Sequence, residues 1–122
     1  MSTPELDPQR AAVKYLSLME NLGELTYWHT PNSERRDKIT GAKLKGMGTR
    51  PGMPDMTLLF PGARTAFIEL KSGAGRLSEA QKRFRNQAEA FGFPYLEAAD
   101  LNQVEDITRK LIAAGEKKAP AQ

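Results

Sequence analysis

The segment of this chain that most constrains its fold is MTLLFPGARTAFIELK, residues 56–71. Two runs of apolar and β-branched residues flank a Pro-Gly turn, which predicts two antiparallel strands and their connection. A hairpin is normally stabilised by burying apolar side chains, yet charge gathers at the open end of this one. Asp55 precedes the first strand, and Glu69 and Lys71 end the second. Any fold proposed for the chain has to account for this charged end.

The size and composition of the chain predict one soluble domain. Its 122 residues suffice for a single core but not for two, and 39% hydrophobic with 27% charged residues is ordinary for a globular protein. No apolar run approaches the ~20 residues of a membrane span, and the first ten residues contain no signal region. The absence of cysteine excludes disulfides and thiolate metal sites. We expect a cytoplasmic protein with one domain over residues 1–115 and a disordered tail at 116–122.

Positive charge is concentrated between residues 32 and 50. This segment holds six basic and two acidic residues, so its charge of +4 exceeds the +3 of the whole chain. It lies within a 23-residue stretch, 30–52, that contains four glycines and two prolines, and a long loop of this kind is commonly functional. We interpret the segment as a surface for a polyanion such as nucleic acid. A merely solvated surface is the alternative.

Apolar periodicity predicts helices on both sides of the hairpin. The predicted elements are a helix at 5–22, strands at 25–29, 56–60 and 65–71, a helix at 78–91, a strand at 93–99 and a helix at 100–115. This order is typical of an α/β domain in which helices flank a mixed sheet. The strand between the last two helices should run parallel to a hairpin strand, reached through a right-handed crossover.

The register of the hairpin decides whether its charged residues meet. A three-residue loop, Pro61–Ala63, would pair Phe60 with Arg64 and would set Asp55 opposite Glu69 on one face of the sheet. Facing residues have Cβ atoms ~5 Å apart. A slip of one residue would send the two carboxylates to opposite faces.

Two facing carboxylates repel one another unless a positive group lies between them. Lys71 shares a face with Glu69 and could offset part of the repulsion. A divalent cation would offset more, because Mg²⁺ takes oxygen ligands at ~2.1 Å and commonly uses one or two carboxylates with waters. Such an ion could also hold a phosphate oxygen and activate a water, which amounts to a hydrolytic site, with Lys71 orienting the water or neutralising the phosphate. From these three residues alone, an ordinary hairpin with an exposed charged edge remains an open alternative.

The motifs around the hairpin resemble those of a known nuclease family. Pro-Asp at 54–55 followed by Glu-Leu-Lys at 69–71 resembles the PD-(D/E)XK signature of metal-dependent nucleases. The wider string 48–84 resembles the VRR-NUC (virus-type replication-repair nuclease) branch, whose members carry G-x-P-D, a short hairpin, E-x-K, a glycine-rich link and L-S-x-x-Q. Residues 29–48 are similar to the Asn-plus-basic segment of small stand-alone phage and bacterial members. The resemblance extends over roughly 5–107.

This resemblance implies an α/β fold with a restriction-endonuclease-like core and an active site that uses Mg²⁺ or Mn²⁺. It implies that Asp55 and Glu69 are metal ligands, that the backbone carbonyl of Leu70 is another, and that Lys71 is the catalytic lysine. These roles follow from matching the family motif position by position.

Two further site residues are open to more than one interpretation. Gln81 matches the glutamine that lines the site in the family, but Ser78 to Gln81 also forms an S-x-x-Q capping box that would only begin a helix. The family's carboxylate from the first helix corresponds to Glu5, with Asp7 or Glu20 as alternatives.

The resemblance also implies that the basic segment contacts DNA phosphates. The residues assigned to this role are Asn32, Arg35, Arg36, Lys43, Lys45 and Arg50. Phosphate contacts supply salt-dependent affinity with little base specificity. Tyr27 and Trp28 could stack on bases, although strand aromatics are more often part of a core. His29 could line the site but is more often structural in such a position.

Together these features predict a metal-dependent endonuclease that hydrolyses DNA during replication or repair. The resemblance implies a homodimer that places two active sites on branched DNA such as a Holliday junction, in a bacterial cell or a phage-infected host. Two alternatives stay open. One is a non-catalytic DNA-binding module that keeps the fold, and the other is a nuclease that acts on RNA or on linear duplex.

Overall fold

The computed structural model describes residues 7–31, 38–71 and 75–118. Within these ranges the elements are α1 (Pro8–Asn21), β1 (Thr26–His29), α2 (Lys38–Gly46), β2 (Met56–Phe60), β3 (Arg64–Leu70), α3 (Glu79–Ala90), β4 (Tyr95–Ala98) and α4 (Leu101–Lys118). None of the helices in the described ranges is long and apolar enough to cross a membrane.

The strands form one mixed sheet in the order β1-β2-β3-β4. β2 pairs antiparallel with both β1 and β3, whereas β4 pairs parallel with β3. A parallel neighbour needs a crossover connection, and α3 supplies it. The predicted mixed sheet and the parallel placement of the last strand are therefore confirmed.

The hairpin adopts the predicted register. Phe60 pairs with Arg64, and the ladder keeps this register to the start of β2. Ala63 adopts a left-handed φ of 61° in the connecting loop, which lets three residues join the strands. One residue beyond the ladder, Asp55 comes to lie opposite Glu69. The two carboxylates thus share one face at the open end of the hairpin.

Helices α1 and α4 cover one face of the sheet and form the main core with it. Alternate residues of β2 and β3 point to this face, as the period of a strand requires. The buried core residues are Ala12, Leu16, Leu25, Met56, Leu58, Phe60, Ala66, Ile68, Ala98 and Val104. Because a fully buried Leu or Ile contributes about 1.5–3 kcal/mol, this layer fixes the sheet that carries the charged residues.

The opposite face of the sheet is covered on one half by α3. Phe84 of α3 meets Phe67 edge to face, with ring centroids 5.2 Å apart, and lies 6.3 Å from the ring of Tyr95. The β1–β2 half is more open, since Trp28 and Leu59 are 48% and 36% exposed there. The expectation that Trp28 belongs to the core is therefore wrong, because α1, the helix that contacts β1 in the described ranges, lies on the other face of the sheet.

The observed elements depart from the predicted ones in three notable places, besides shifts of one or two residues at other ends. α1 begins at Pro8 rather than at residue 5, because Asp7 accepts a hydrogen bond from the Gln9 amide and proline suits the first helical turn. The stretch 30–52 contains the nine-residue helix α2. Residues 116–118, predicted to begin a disordered tail, continue α4, while 119–122 lie outside the described residues.

Candidate active site

Asp55 and Glu69 are tied together by hydrogen bonds where the hairpin ladder ends. The backbone N–H of Asp55 donates to Oε1 of Glu69 at 3.2 Å, and the N–H of Leu70 donates to Oδ2 of Asp55 at 2.7 Å. Glu69 is only 4% exposed. The backbone just before β2 therefore holds the Glu69 carboxylate of β3, and the backbone of β3 holds the Asp55 carboxylate.

The surroundings of Glu69 disfavour its charged form. Burial raises the pKa of the Glu69 carboxyl to about 7, and repulsion from Asp55 adds to this increase. The hydrogen bond from the Asp55 amide and the charge of Lys71 oppose it. A carboxylate held in this way is one that a nearby cation would stabilise, and strongly perturbed groups of this kind are common in active sites.

The ammonium group of Lys71 is held beside this pair by two oxygen atoms. Its Nζ donates to Oε1 of Gln81 at 3.2 Å and to the backbone carbonyl of Arg76 at 3.0 Å. The ion pairs found among the described residues do not include Lys71. Its positive charge is thus positioned without being neutralised by a direct carboxylate partner in that part of the chain.

Gln81 makes both contacts that the sequence left as alternatives. Its Oε1 accepts from the Ser78 N–H at 2.7 Å, and the Ser78 Oγ accepts from the Gln81 N–H at 3.1 Å, which completes the capping box. Its Nε2 donates to Oε2 of Glu69 at 2.9 Å. The oxygen of the Gln81 amide group therefore caps the start of α3, and its nitrogen orients the buried Glu69 carboxylate.

A cleft of about 800 Å³ opens beside this cluster. The charged side chains among its described lining residues are all basic: Lys45, Arg50, Lys71 and Arg76. Ser78 and Gln81 place the N-terminus of α3 in the wall, where the helix dipole is positive. The electrostatics of the cleft therefore favour a polyanion.

Gly52 brings the cleft's wall against the first turn of α3. A Cβ atom there would lie 2.6 Å from the carbonyl carbon of Ala80 and 2.7 Å from the backbone nitrogen of Gln81. Its φ of 78° is also one that favours glycine. The chain just before Asp55 is thus packed against the turn that carries Gln81.

The predicted DNA contacts are divided by the structure. Lys45 and Arg50 line the cleft, whereas Lys43 is exposed on α2 outside its lining. The predicted contacts that lie outside the described residues are Asn32, Arg35 and Arg36. Arg76 was not predicted, and the available signal was a cation placed directly after the glycine-rich link of the hairpin.

The candidates for a carboxylate from the first helix are only partly placed. Glu5 lies outside the described residues. Asp7 caps the N-terminus of α1. At this end of the helix, Nε2 of Gln9 lies 3.1 Å from the sulfur of Met56, which is the residue after Asp55. Glu20 lies thirteen residues further along α1, about 20 Å from Asp7 at 1.5 Å per residue, at the end of the helix away from Met56.

The oxygen atoms at the hairpin end fit a hard divalent cation. The described residues hold no cluster of three or more His, Cys, Asp and Glu side chains that could bind a metal. The carboxylates of Asp55 and Glu69 nevertheless converge, and the carbonyl of Leu70 is directed to the same side as its N–H, towards Asp55. Two carboxylates and a carbonyl suit Mg²⁺ or Mn²⁺, which complete their coordination with water.

The mixed sheet and the charged hairpin end are those of a nuclease-type domain with a restriction-endonuclease-like core. Comparison with family models gives a match to the VRR-NUC domain over residues 8–99, about three quarters of the chain. The chain therefore belongs to the VRR-NUC family, as its motifs predicted.

Solved structures confirm the fold. A structure described as a VRR_NUC domain protein matches with a TM-score of 0.66 and 19% identity, over 91% of this chain and 92% of that one. A second, described as a VRR_NUC domain, matches with a TM-score of 0.56 and 16% identity, over 83% and 89%. A search of curated proteins gives no match.

Proposed function

We propose that this domain hydrolyses phosphodiester bonds in DNA, with Mg²⁺ or Mn²⁺ as its cofactor. The observation that supports this function is that Asp55, Glu69 and Lys71 lie together, linked through Gln81, beside a basic cleft that Lys71 lines. A purely structural hairpin gains nothing from burying a carboxylate whose pKa is raised by its surroundings. An active site that binds a cation does gain from such a carboxylate, because the cation stabilises its charged form.

The carboxylates of Asp55 and Glu69, with the carbonyl of Leu70, would hold the ion. When bound, it would stabilise charge on the phosphate and lower the pKa of a coordinated water. The N–H groups of Asp55 and Leu70 keep the two carboxylates in place before any ion arrives. The site is therefore largely formed by the hairpin itself.

Lys71 and Gln81 would act on the substrate and on the carboxylate respectively. The Lys71 ammonium is anchored by acceptors from α3 and from the link before it, so one of its donors can face a phosphate oxygen or a water. Gln81 is a positioning residue, because its amide touches Glu69 and Lys71 but need not touch the phosphate.

The cations of the cleft would bind the DNA backbone. Lys45, Arg50 and Arg76 line the same cleft as Lys71. Contacts of this kind give affinity that falls with salt and carry little sequence information.

The substrate that we propose is branched DNA, such as a Holliday junction, met in replication or repair. A single cleft of this size touches only a short length of backbone, so we propose a homodimer that presents two sites to the branch. This part of the proposal rests on the resemblance to small family members and on the need for a larger contact area.

A cleavage assay tests the proposed function. Labelled four-way junction, flap, linear duplex and RNA would be incubated with the protein in Mg²⁺, Mn²⁺ or EDTA, and Glu69→Ala would be run beside the wild type. We expect cutting of branched DNA that requires metal and is absent in the variant. Cutting in EDTA, or equal cutting by Glu69→Ala, would overturn the proposed site.

A further inference from the structure

The face of the sheet that carries the two carboxylates continues onto β1. β1 pairs with β2 so that Trp28 lies opposite Thr57, and Thr57 lies opposite Phe67 on β3. Asp55 is two residues from Thr57 and therefore points to the same face. Trp28 is thus a diagonal neighbour of Asp55 on the sheet, at a spacing of ~7–8 Å that large side chains can bridge.

Trp28 is open to solvent on this face. It is 48% exposed, although the small Thr57 beside it is only 6% exposed. Thr57 is flanked across the strands by Trp28 and Phe67, so the larger rings shield it. The indole is therefore supported by the sheet on one side and free on the other.

The strand that carries the exposed indole leads directly into the lining of the basic cleft. Thr30, two residues after Trp28, lines the cleft, and its N–H donates to the carbonyl of Asp55 at 2.9 Å. Nδ1 of His29 lies 2.9 Å from the same carbonyl. The end of β1 is thus attached to the residue that positions the metal site, which fixes Trp28 relative to it.

We propose that Trp28 is a stacking platform for an unpaired base next to the scissile phosphate. The inference rests on the proposed function, because a base reaches Trp28 only if its phosphates occupy the neighbouring cleft. An aromatic ring beside a groove of cations is the arrangement by which proteins hold single-stranded nucleic acid. The bases inside an intact duplex have both faces covered by stacking, so they cannot use such a platform.

The composition of the open face favours a base over a second protein chain. Besides Trp28, its large exposed apolar residue is Leu59, and the positions around them are threonines: Thr26, Thr57 and Thr65. A stable protein interface buries about 800 Å² on each partner and has an apolar centre. Two apolar side chains on a threonine-rich surface do not supply that centre.

This role narrows the substrate class to DNA that offers an unpaired nucleotide beside a duplex. Flaps, frayed ends and the open centres of branches have this feature, and blunt linear duplex lacks it. Trp28 would therefore select substrate structure, while the cations of the cleft bind any backbone.

Fluorescence gives a direct test, because Trp28 is the single tryptophan of the chain. Wild-type protein in EDTA, which prevents cleavage, would be titrated with a linear duplex annealed from two strands, either blunt at both ends or with a three-nucleotide unpaired tail at one end. We expect quenching of the indole emission by the tailed DNA and little change with the blunt DNA. Saturating binding of both without a difference in quenching would overturn the proposal.

Variants separate stacking from simple burial. In anisotropy measurements with labelled DNA, Trp28→Ala should lose about tenfold in affinity for the tailed DNA, or about 1.4 kcal/mol, and should bind blunt DNA as before. Trp28→Phe should keep most of the preference, and Leu59→Ala, the other exposed apolar side chain of this face, should change nothing. Equal loss with both DNAs, or an unchanged preference in Trp28→Ala, would contradict stacking.

Self-association is the competing use of this face and has its own signature. Emission that shifts to the blue as protein concentration rises, together with loss of a dimer in Trp28→Ala by sedimentation, would overturn the proposal. Quenching by tailed DNA without metal-dependent cleavage would leave Trp28's role intact and refute the proposed function. Cleavage that does not depend on Trp28 would refute the role of Trp28 and leave the proposed function intact.

Discussion

At the scale of single residues, the hairpin end concentrates unfavourable electrostatics. Glu69 is buried beside Asp55, and its partners in the described chain are an amide N–H and the Gln81 amide, neither of which carries a full charge. Neutral donors offset only part of the cost of burying a carboxylate. This cost is understandable if the residue evolved to meet a cation that the chain itself does not carry.

The raised pKa of Glu69 predicts how the metal-free protein responds to pH. The carboxyl has a pKa of about 7 when folded against 4.5 as its ordinary value, so between these values the folded state binds more protons. The free energy of unfolding should therefore fall as pH rises from 4.5 to 7.5, by on the order of 2 kcal/mol from this group. Urea unfolding in EDTA measures the slope. In Glu69→Gln this part of the slope should vanish, and an unchanged slope would contradict the assignment.

The hydroxyl of Tyr95 is a second buried polar group on this face of the sheet. Tyr95 is 5% exposed, and its hydroxyl is buried without a hydrogen-bond partner among the described residues. Burial, and then the negative charge of Glu69, raise the pKa of this phenol. Because an unsatisfied buried hydroxyl is unfavourable, Tyr95→Phe should leave stability unchanged or raise it by up to about 1 kcal/mol.

Chemical denaturation of the Tyr95→Phe variant checks this. A Tyr→Phe change that breaks a real hydrogen bond usually costs about 1 kcal/mol. A loss of that size would therefore show that the hydroxyl is bonded, for example to an ordered water.

At the scale of elements, the site depends on how the segment before β2 packs on α3. Gly52 allows this contact, since any Cβ there would meet the backbone of Ala80 and Gln81 below 3 Å. Neither of these backbone atoms can rotate away as a side chain could. A substitution must therefore move the segment or the helix turn.

Gly52→Ala should impair the site more than a glycine substitution made elsewhere. Gly23, after α1, has nearly the same φ, 79° against 78°, but an added Cβ there meets nothing within 4 Å. Gly23→Ala should cost about 1 kcal/mol from backbone strain alone. Gly52→Ala should cost about 1–3 kcal/mol more and lower cleavage at least tenfold, because Gln81 and Glu69 are displaced. Equal effects on melting temperature and cleavage would show that the contact is unimportant.

The elements that sequence predicted best are those specified by local chemistry. The assumed three-residue turn matches the observed hairpin register, and the Ser78–Gln81 box located the start of α3. Boundaries at which a capping signal competes with the apolar periodicity were less predictable. Asp7 and Pro8 begin α1 later than its apolar periodicity suggests. The helix α2 has little apolar periodicity and was visible only as a basic stretch.

At the scale of the whole molecule, the cleft combines residues that are far apart in sequence. Lys45 and Arg50 come from α2 and the segment after it, while Arg76 comes from the link between β3 and α3. The guanidinium of Arg50 lies 5.9 Å from the centre of the Phe84 ring, which helps to hold it at the wall. Their summed charge should determine how DNA binding depends on salt.

Arg76→Gln should reduce the salt dependence of DNA binding. Each phosphate contact with duplex DNA adds about 0.9 to the slope of log K against log salt, so this variant should lose about that amount. Lys110→Gln makes a matched control, because it removes a positive charge from α4, outside the cleft. Anisotropy titrations at several salt concentrations give both slopes. Equal slopes for Arg76→Gln and wild type would exclude a phosphate contact.

Tertiary structure decided what the sequence could not predict about the site. The motif specified Asp55, Glu69 and Lys71, but neither Arg76 nor the exposure of Trp28 follows from local pattern. Trp28 was expected in the core because aromatic residues on strands are usually buried. It is exposed because, in the described ranges, α3 packs over the β3–β4 half of that sheet face and not over β1. Such outcomes depend on which helix lies over which strands.

The single-turnover cleavage rate of flap DNA in Mg²⁺ by Asp55→Asn tests directly whether the hairpin end is a metal-dependent active site. The asparagine oxygen can still accept the Leu70 N–H, so the hairpin should remain folded while a metal-binding charge is lost. Binding of the same DNA would be measured in parallel. We expect a fall in rate of at least a hundredfold with affinity within about threefold of wild type. Cleavage at the wild-type rate would contradict it.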